Sequence, residues 1–253
     1  MSQSVDAFLR FQARLLSKVE NRTDVLGLVF LGSSAATDRV DQHSDHDFFL
    51  IVQKGVGESY RKNLDWLPDH TEILLSPRET AHGLKVIYKD LRLLEFAVFE
   101  DDELELASAN DYAVALDRSN IAERMAAIAK RSVPGAIDPL AEFELFLALI
   151  QIGLGRYRRG EVIASEQHLK SYAVEKLIKL IRHYKPAAES RADSLNAFRR
   201  FEQDYPNLAR DISALQLLPG DECASGLLGL AESLPISPDE INKLSAIRKG
   251  LGI

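Results

Sequence analysis

The segment VLGLVFLGSSAATDRVDQHSDHDFFLIV, residues 25–52, constrains this chain more than any other. Its two apolar runs, 25–33 and 46–52, are short and dense in Val, Leu, Ile and Phe, as buried strands are. The first ends in Gly32-Ser33, and the second opens on Asp45-His46-Asp47 after a polar stretch without pattern. Alternate strand residues share a face, so Asp45 and Asp47 project side by side and His46 packs on the opposite face. Two carboxylates so placed repel each other unless a cation bridges them. A hard divalent ion such as Mg²⁺, which takes oxygen ligands and completes its shell with water or phosphate, suits the pair. Gly32 permits close backbone approach, Ser33 adds a hydroxyl and an N–H where a phosphate could lie, and Ser34 extends the turn.

A third acid stands in RLLEFAVF at 92–99, where Glu95 is set among Leu94, Phe96 and Val98. An unpartnered carboxylate in such a strand is costly. An ion pair with Arg92 or Lys89 is the ordinary way to relieve it, and a shared metal with Asp45 and Asp47 is the alternative. Three carboxylates on neighbouring strands can hold two Mg²⁺ ions about 3.5–4 Å apart, which stabilises the entering and leaving oxygens of a phosphoryl displacement.

The remaining pattern predicts a helix at 5–20 and further strands at 71–76, 83–89 and 92–99, about five strands in all. After Asp101 the pattern reads as helical throughout, with a helix at 119–131 and a break at Pro134-Gly135. Asp138 and Pro139 then supply an N-cap and first-turn proline for a helix over 139–159, apolar nearly all round, which Gly160 would stop. A second long helix is expected at 165–184, then three or four shorter ones, the last signed by Ser237, Pro238 and Glu240. The expected fold class is α+β: a mixed sheet with flanking helices over residues 1–110, and an all-α helical domain over 111–253.

Charge narrows the partners. With 31 Lys and Arg against 38 Asp and Glu the net charge is −7, which argues against a nucleic-acid partner and favours a cationic small molecule. The run Glu100–Glu105 reads as a solvated face that could lie near an acceptor's amine. A single cysteine, Cys223, excludes an intrachain disulfide and a thiolate metal cage, and reads as a buried small hydrophobe. No stretch approaches the ~20 apolar residues of a membrane helix, and MSQSVDAFLR lacks a basic leader, so the expectation is a cytoplasmic protein with no membrane partner. Trp66 in DWLPDH reads as a packing anchor, with acceptor stacking as the alternative. The oligomeric state stays open, a homodimer among the options.

The order strand, Gly-Ser, spacer, Asp-x-Asp and later acidic strand residue resembles the nucleotidyltransferase superfamily that includes DNA polymerase β and the antibiotic nucleotidyltransferases. VIYKDLRLLEFAVFEDDELE and RRGE at 158–161 are similar to segments of its lincosamide type. The resemblance implies a nucleotidyltransferase-type sheet, Mg²⁺ on Asp45 and Asp47, and Glu95 as third ligand or general base. It also implies the triphosphate of an NTP, expected to be ATP, on Gly32, Ser33 and Ser34, with Lys170 reaching its terminal phosphate. The implied reaction moves a nucleoside monophosphate to a hydroxyl of a small acceptor such as a lincosamide or aminoglycoside, between the two halves. A protein-AMPylating, antitoxin-like enzyme and a non-catalytic nucleotide-binding module are the other classes.

Overall fold

A computed structural model describes residues 5–133, 136–190 and 192–253. Pro134-Gly135, the expected break, and the first four residues of the N-terminal reading lie outside the described residues. The chain divides into two compact units, Met1–Val133 and Pro134–Ile253.

The first unit is an α+β sheet of six strands: β1 (Val25–Leu31), β2 (His46–Val52), β3 (Ile73–Leu75), β4 (Gly83–Tyr88), β5 (Leu93–Glu100) and β6 (Tyr112–Asp117). Their order across the sheet is β3-β4-β5-β2-β1-β6. β2 and β5 run parallel and the other neighbours antiparallel. Helix α1 (Val5–Glu20) covers one face with Phe11, Leu15 and Val19, which share a core with Leu28, Phe48, Leu50, Phe96 and Val98. The opposite face carries Val29, Ile51 and Phe99 under α4 (Ile121–Ser132) and the two-turn 3₁₀ segment Asp101–Leu106. Two short helices, α2 (Gly32–Ala35) and α3 (Gly57–Lys62), follow β1 and β2.

β6 corrects two sequence expectations. Residues 112–117 are a strand paired with β1, so the sheet has six strands, and the first unit runs to Val133 instead of ending at residue 110. Residues 112–116 are half-buried, without the alternation that would have marked a strand. Trp66 is buried (1% exposed), donates from Nε1 to the Tyr60 carbonyl, and meets Phe48 and Phe96 edge-on, so it is a core anchor.

The second unit is helical: α5 (Pro139–Arg158), α6 (Val162–Glu166), a π-helical stretch Gln167–Ala173, α7 (Val174–Tyr184), α8 (Phe201–Asp204), α9 (Pro206–Gln216), α10 (Gly220–Glu232) and α11 (Pro238–Leu251). Both cap expectations hold. The Asp138 carboxylate accepts from Ala141 N–H, and Ser237 and Glu240 form a reciprocal capping box. Cys223 is fully buried in this core. The expected 165–184 helix begins at Val162 and changes pitch at 167–173, which side-chain periodicity cannot reveal in advance. Among the described residues no helix is long and apolar enough to cross a membrane.

Candidate active site

Strand pairing brings the three predicted acids together. In the parallel β2–β5 pair Asp47 lies opposite Glu95, so both point to one face, and Asp45 two residues earlier joins them. One carboxylate oxygen from each of Asp45, Asp47 and Glu95 lies within 4.8 Å of the others, and all three side chains are half-buried. They stand on the α4 face, at the end where β2 and β5 begin. His46 turns the other way, as expected. It is buried, its ring stacked on Phe8 at 4.0 Å and tilted against Phe11 at 4.5 Å. Burial, with the positive charge of Arg92 added, pushes its pKa down to about 3, so the ring is neutral.

The turn after β1 is built against these acids. Gly32 has φ +52°, a conformation that costs a residue with Cβ about 1 kcal/mol. A Cβ built there would lie 3.5 Å from Asp47 Oδ2, which shows how closely the turn approaches the carboxylate. The two serines separate. Ser33 is half-exposed and makes no side-chain hydrogen bond among the described residues. Ser34 is 3% exposed, donates to the Asp45 carbonyl at 3.3 Å, and accepts from Asp47 N–H at 3.0 Å. Buried Gln12 on α1 donates to the Ser34 carbonyl at 2.9 Å. The Ser34 hydroxyl, expected near phosphate, here braces the backbone that carries both aspartates.

Two basic residues near the site were missed in the sequence. Arg39 donates to the Gly32 carbonyl at 3.2 Å and to Asp111 at 2.7 Å. Lys85, opposite Glu95 in the antiparallel β4–β5 pair, places its ammonium 2.8 Å from Glu95 Oε1 and 3.3 Å from Glu79. Those two carboxylates, Glu95 first, raise the Lys85 pKa. Lys85 thus replaces the expected partners of Glu95: Arg92 pairs with Asp69 and Asp90, and Lys89 with Glu72. The hairpin turn fixes this pairing, since Ile87 faces Leu93 across it and Lys85 then faces Glu95.

Lys170 lies in the π-helical stretch of the second unit, 2.7 Å from Glu166, and that pair accounts for its placement. A groove of about 1370 Å³ opens beside Asp45, lined by Arg10 and Arg14 of α1, Ser44, and Lys89 and Arg92 of the β4–β5 hairpin. Oxygen-only donors, three carboxylates and a polar rim make the cluster fit for a hard divalent cation.

No protein-family model matches the chain, and no curated protein matches it in sequence. Among solved structures, a nucleotidyltransferase-like protein from Exiguobacterium sibiricum is 14% identical, with 88% of this chain and 74% of that one covered and a TM-score of 0.37. An aminoglycoside 6-adenyltransferase from Bacillus subtilis is 11% identical, with 98% of each chain covered and a TM-score of 0.33. A STING-associated c-di-GMP synthase from Capnocytophaga granulosa is 16% identical, covering 99% and 78%, with a TM-score of 0.28. With TM-scores below 0.5, the functional reading rests on the carboxylates and the turn beside them.

Proposed function

We propose that this chain is a Mg²⁺-dependent nucleotidyltransferase that moves a nucleoside monophosphate, AMP from ATP the expected case, to a hydroxyl of a small acceptor and releases pyrophosphate. The observation that carries the reading is the convergence of Asp45, Asp47 and Glu95 within 4.8 Å, with the positive-φ Gly32 turn against Asp47. Asp45 and Asp47 would hold the metal. Bound there, the ion neutralises charge on the transferred phosphoryl group and on the departing pyrophosphate. Gly32 leaves room for a phosphate to approach the backbone, and the Ser33 hydroxyl is available to donate to it. Glu95 either completes the ligand set or accepts the proton of the attacking hydroxyl. Of the three acids only Asp45 lines the groove, and the charged side chains of both signs around it would meet a hydroxyl-rich polar acceptor such as an aminoglycoside or lincosamide.

The test is incubation of the protein with each Mg²⁺·NTP and a panel of such acceptors, reading pyrophosphate release and the acceptor's mass. The expected result is a metal-dependent gain of one nucleoside monophosphate by an acceptor. Modification of the protein itself or of an added protein would favour the AMPylating class. Nucleotide binding with no turnover for any acceptor, and no effect of Asp47→Asn on that binding, would overturn the reading.

A further inference from the structure

We infer that Lys85 is a positioning residue of the metal site, an internal cation that holds Glu95 and weakens the nucleotide-free protein's grip on divalent ions; this rests on the metal-dependent reading above. The registers Asp47 opposite Glu95 and Lys85 opposite Glu95 put the three side chains in one row across β2, β5 and β4, on one face. Neighbouring strands are about 4.8 Å apart, so the row is continuous. At its acidic end three carboxylates crowd together. At its other end the Lys85 ammonium forms a charge-assisted hydrogen bond to Glu95 at 2.8 Å. Glu79, 3.3 Å away on the far side, keeps the ammonium in place.

An exposed cross-strand ion pair is ordinarily worth little to stability, and both side chains here are 36% exposed. What distinguishes this pair is its acceptor. Glu95 belongs to the metal set, so any ion bound there must share that carboxylate with a unit positive charge. With the ammonium about 5 Å from a divalent ion, the repulsion in a water-like dielectric lowers affinity on the order of tenfold. The consequence is a division of labour. Without nucleotide, Lys85 offsets part of the repulsion among the acids and keeps Glu95 oriented. With nucleotide, the phosphates add the negative charge that makes a divalent ion competitive, and the flexible four-carbon stem lets Lys85 move aside.

The experiment measures Mn²⁺ binding to the full chain without nucleotide, by titration calorimetry and by the loss of free-Mn²⁺ spin-resonance signal. Wild type, Lys85→Met, Lys85→Gln and Lys85→Arg are compared, with circular dichroism to establish folding. Both neutral variants should bind Mn²⁺ about tenfold more tightly, and Lys85→Arg, which restores the charge, should stay within about threefold of wild type. Equal or weaker Mn²⁺ binding by the neutral variants, with wild-type binding intact, overturns the role of Lys85 and leaves the metal site standing. Absence of Mn²⁺ binding in all four proteins, with added nucleotide as well as without, overturns the metal reading and this inference together.

Discussion

Ser33 and Ser34 are adjacent in sequence, yet their replacement by alanine should fail in opposite ways. Ser34 is 3% exposed, and its hydroxyl both accepts from Asp47 N–H at 3.0 Å and donates to the Asp45 carbonyl at 3.3 Å. Ser34→Ala leaves an N–H without its acceptor in a half-buried place, a loss of about 1–3 kcal/mol. It also frees the segment that aims both aspartates, so metal affinity should fall with stability. Ser33 has no side-chain hydrogen bond to lose among the described residues, and Ser33→Ala should change stability by less than about 0.5 kcal/mol. If its hydroxyl meets a phosphate, the charge-assisted bond is worth about 1.5–3 kcal/mol, and NTP affinity should fall at least about tenfold. The assay is built into the chain. Its single tryptophan, Trp66, is buried in the first unit, so urea unfolding followed by Trp66 fluorescence reports that unit alone. An unfolding free energy unchanged by Ser34→Ala would refute the bracing role, and unchanged nucleotide affinity in Ser33→Ala would refute the phosphate assignment.

Three further outcomes follow from the same geometry. Asp47→Asn should abolish turnover and the stabilisation by Mn²⁺, about 2.7 kcal/mol at a hundred times the dissociation constant, while leaving the metal-free protein as stable or slightly more so; a retained Mn²⁺ shift in urea unfolding would contradict this. Glu95→Gln should lower kcat by about 10²–10⁴ with nucleotide affinity intact if Glu95 is chiefly a base, and lower both if it is a ligand; titrating nucleotide at fixed Mg²⁺ separates the two, and an unchanged rate refutes both. His46, held near pKa 3 in the fold against 6.5 when unfolded, binds its proton first in the unfolded chain, so stability should decline as pH falls from 6.5 toward 3. Between pH 7 and pH 4.5 wild type should lose about 2–3 kcal/mol more than His46→Phe by Trp66 fluorescence, and equal losses would show that the ring is not held neutral.

The legible parts of this chain are those where one residue type at one spacing admits one local structure. Asp45-x-Asp47 at a strand entry could be read as a same-face pair before the strand was seen, and Asp138-Pro139 and Ser237-Pro238-x-Glu240 could be read as helix starts. The partner of Glu95 could not, because it depends on register, and register depends on where the β4–β5 hairpin turns. That turn places Leu91 at φ +66°, where glycine or asparagine would have announced it. The division between Ser33 and Ser34 is equally silent in sequence, since it follows from which hydroxyl faces the backbone of residues 45–47. β6 was missed for a different reason: Tyr112–Leu116 is a short apolar run without alternation, which periodicity alone does not tell from a buried helix segment, and pairing with β1 makes it a strand.

The run Glu100–Glu105 shows how far composition stands from field. Glu100 accepts from the backbone N–H groups of Gly55 and Gly57, Asp101 and Glu105 hold Arg124, Asp102 meets Lys54, and Glu103 meets Arg61 and His82. These carboxylates fasten the exit of β5 to the loop after β2 and to α4, and Lys54, Arg61 and Arg124 offset part of their charge where they stand. The groove beside Asp45 is balanced in the same way, with Arg14 and Arg92 on Asp69 and Lys89 on Glu72. A net charge of −7 therefore implies no matching negative potential at the groove, because paired charges cancel within a few ångströms and salt screens what remains. In the proposed reaction the acceptor would then be chosen by the shape of the groove and by hydrogen bonds from its polar rim, and the cation that matters most would be the protein's own Lys85, placed against the third carboxylate.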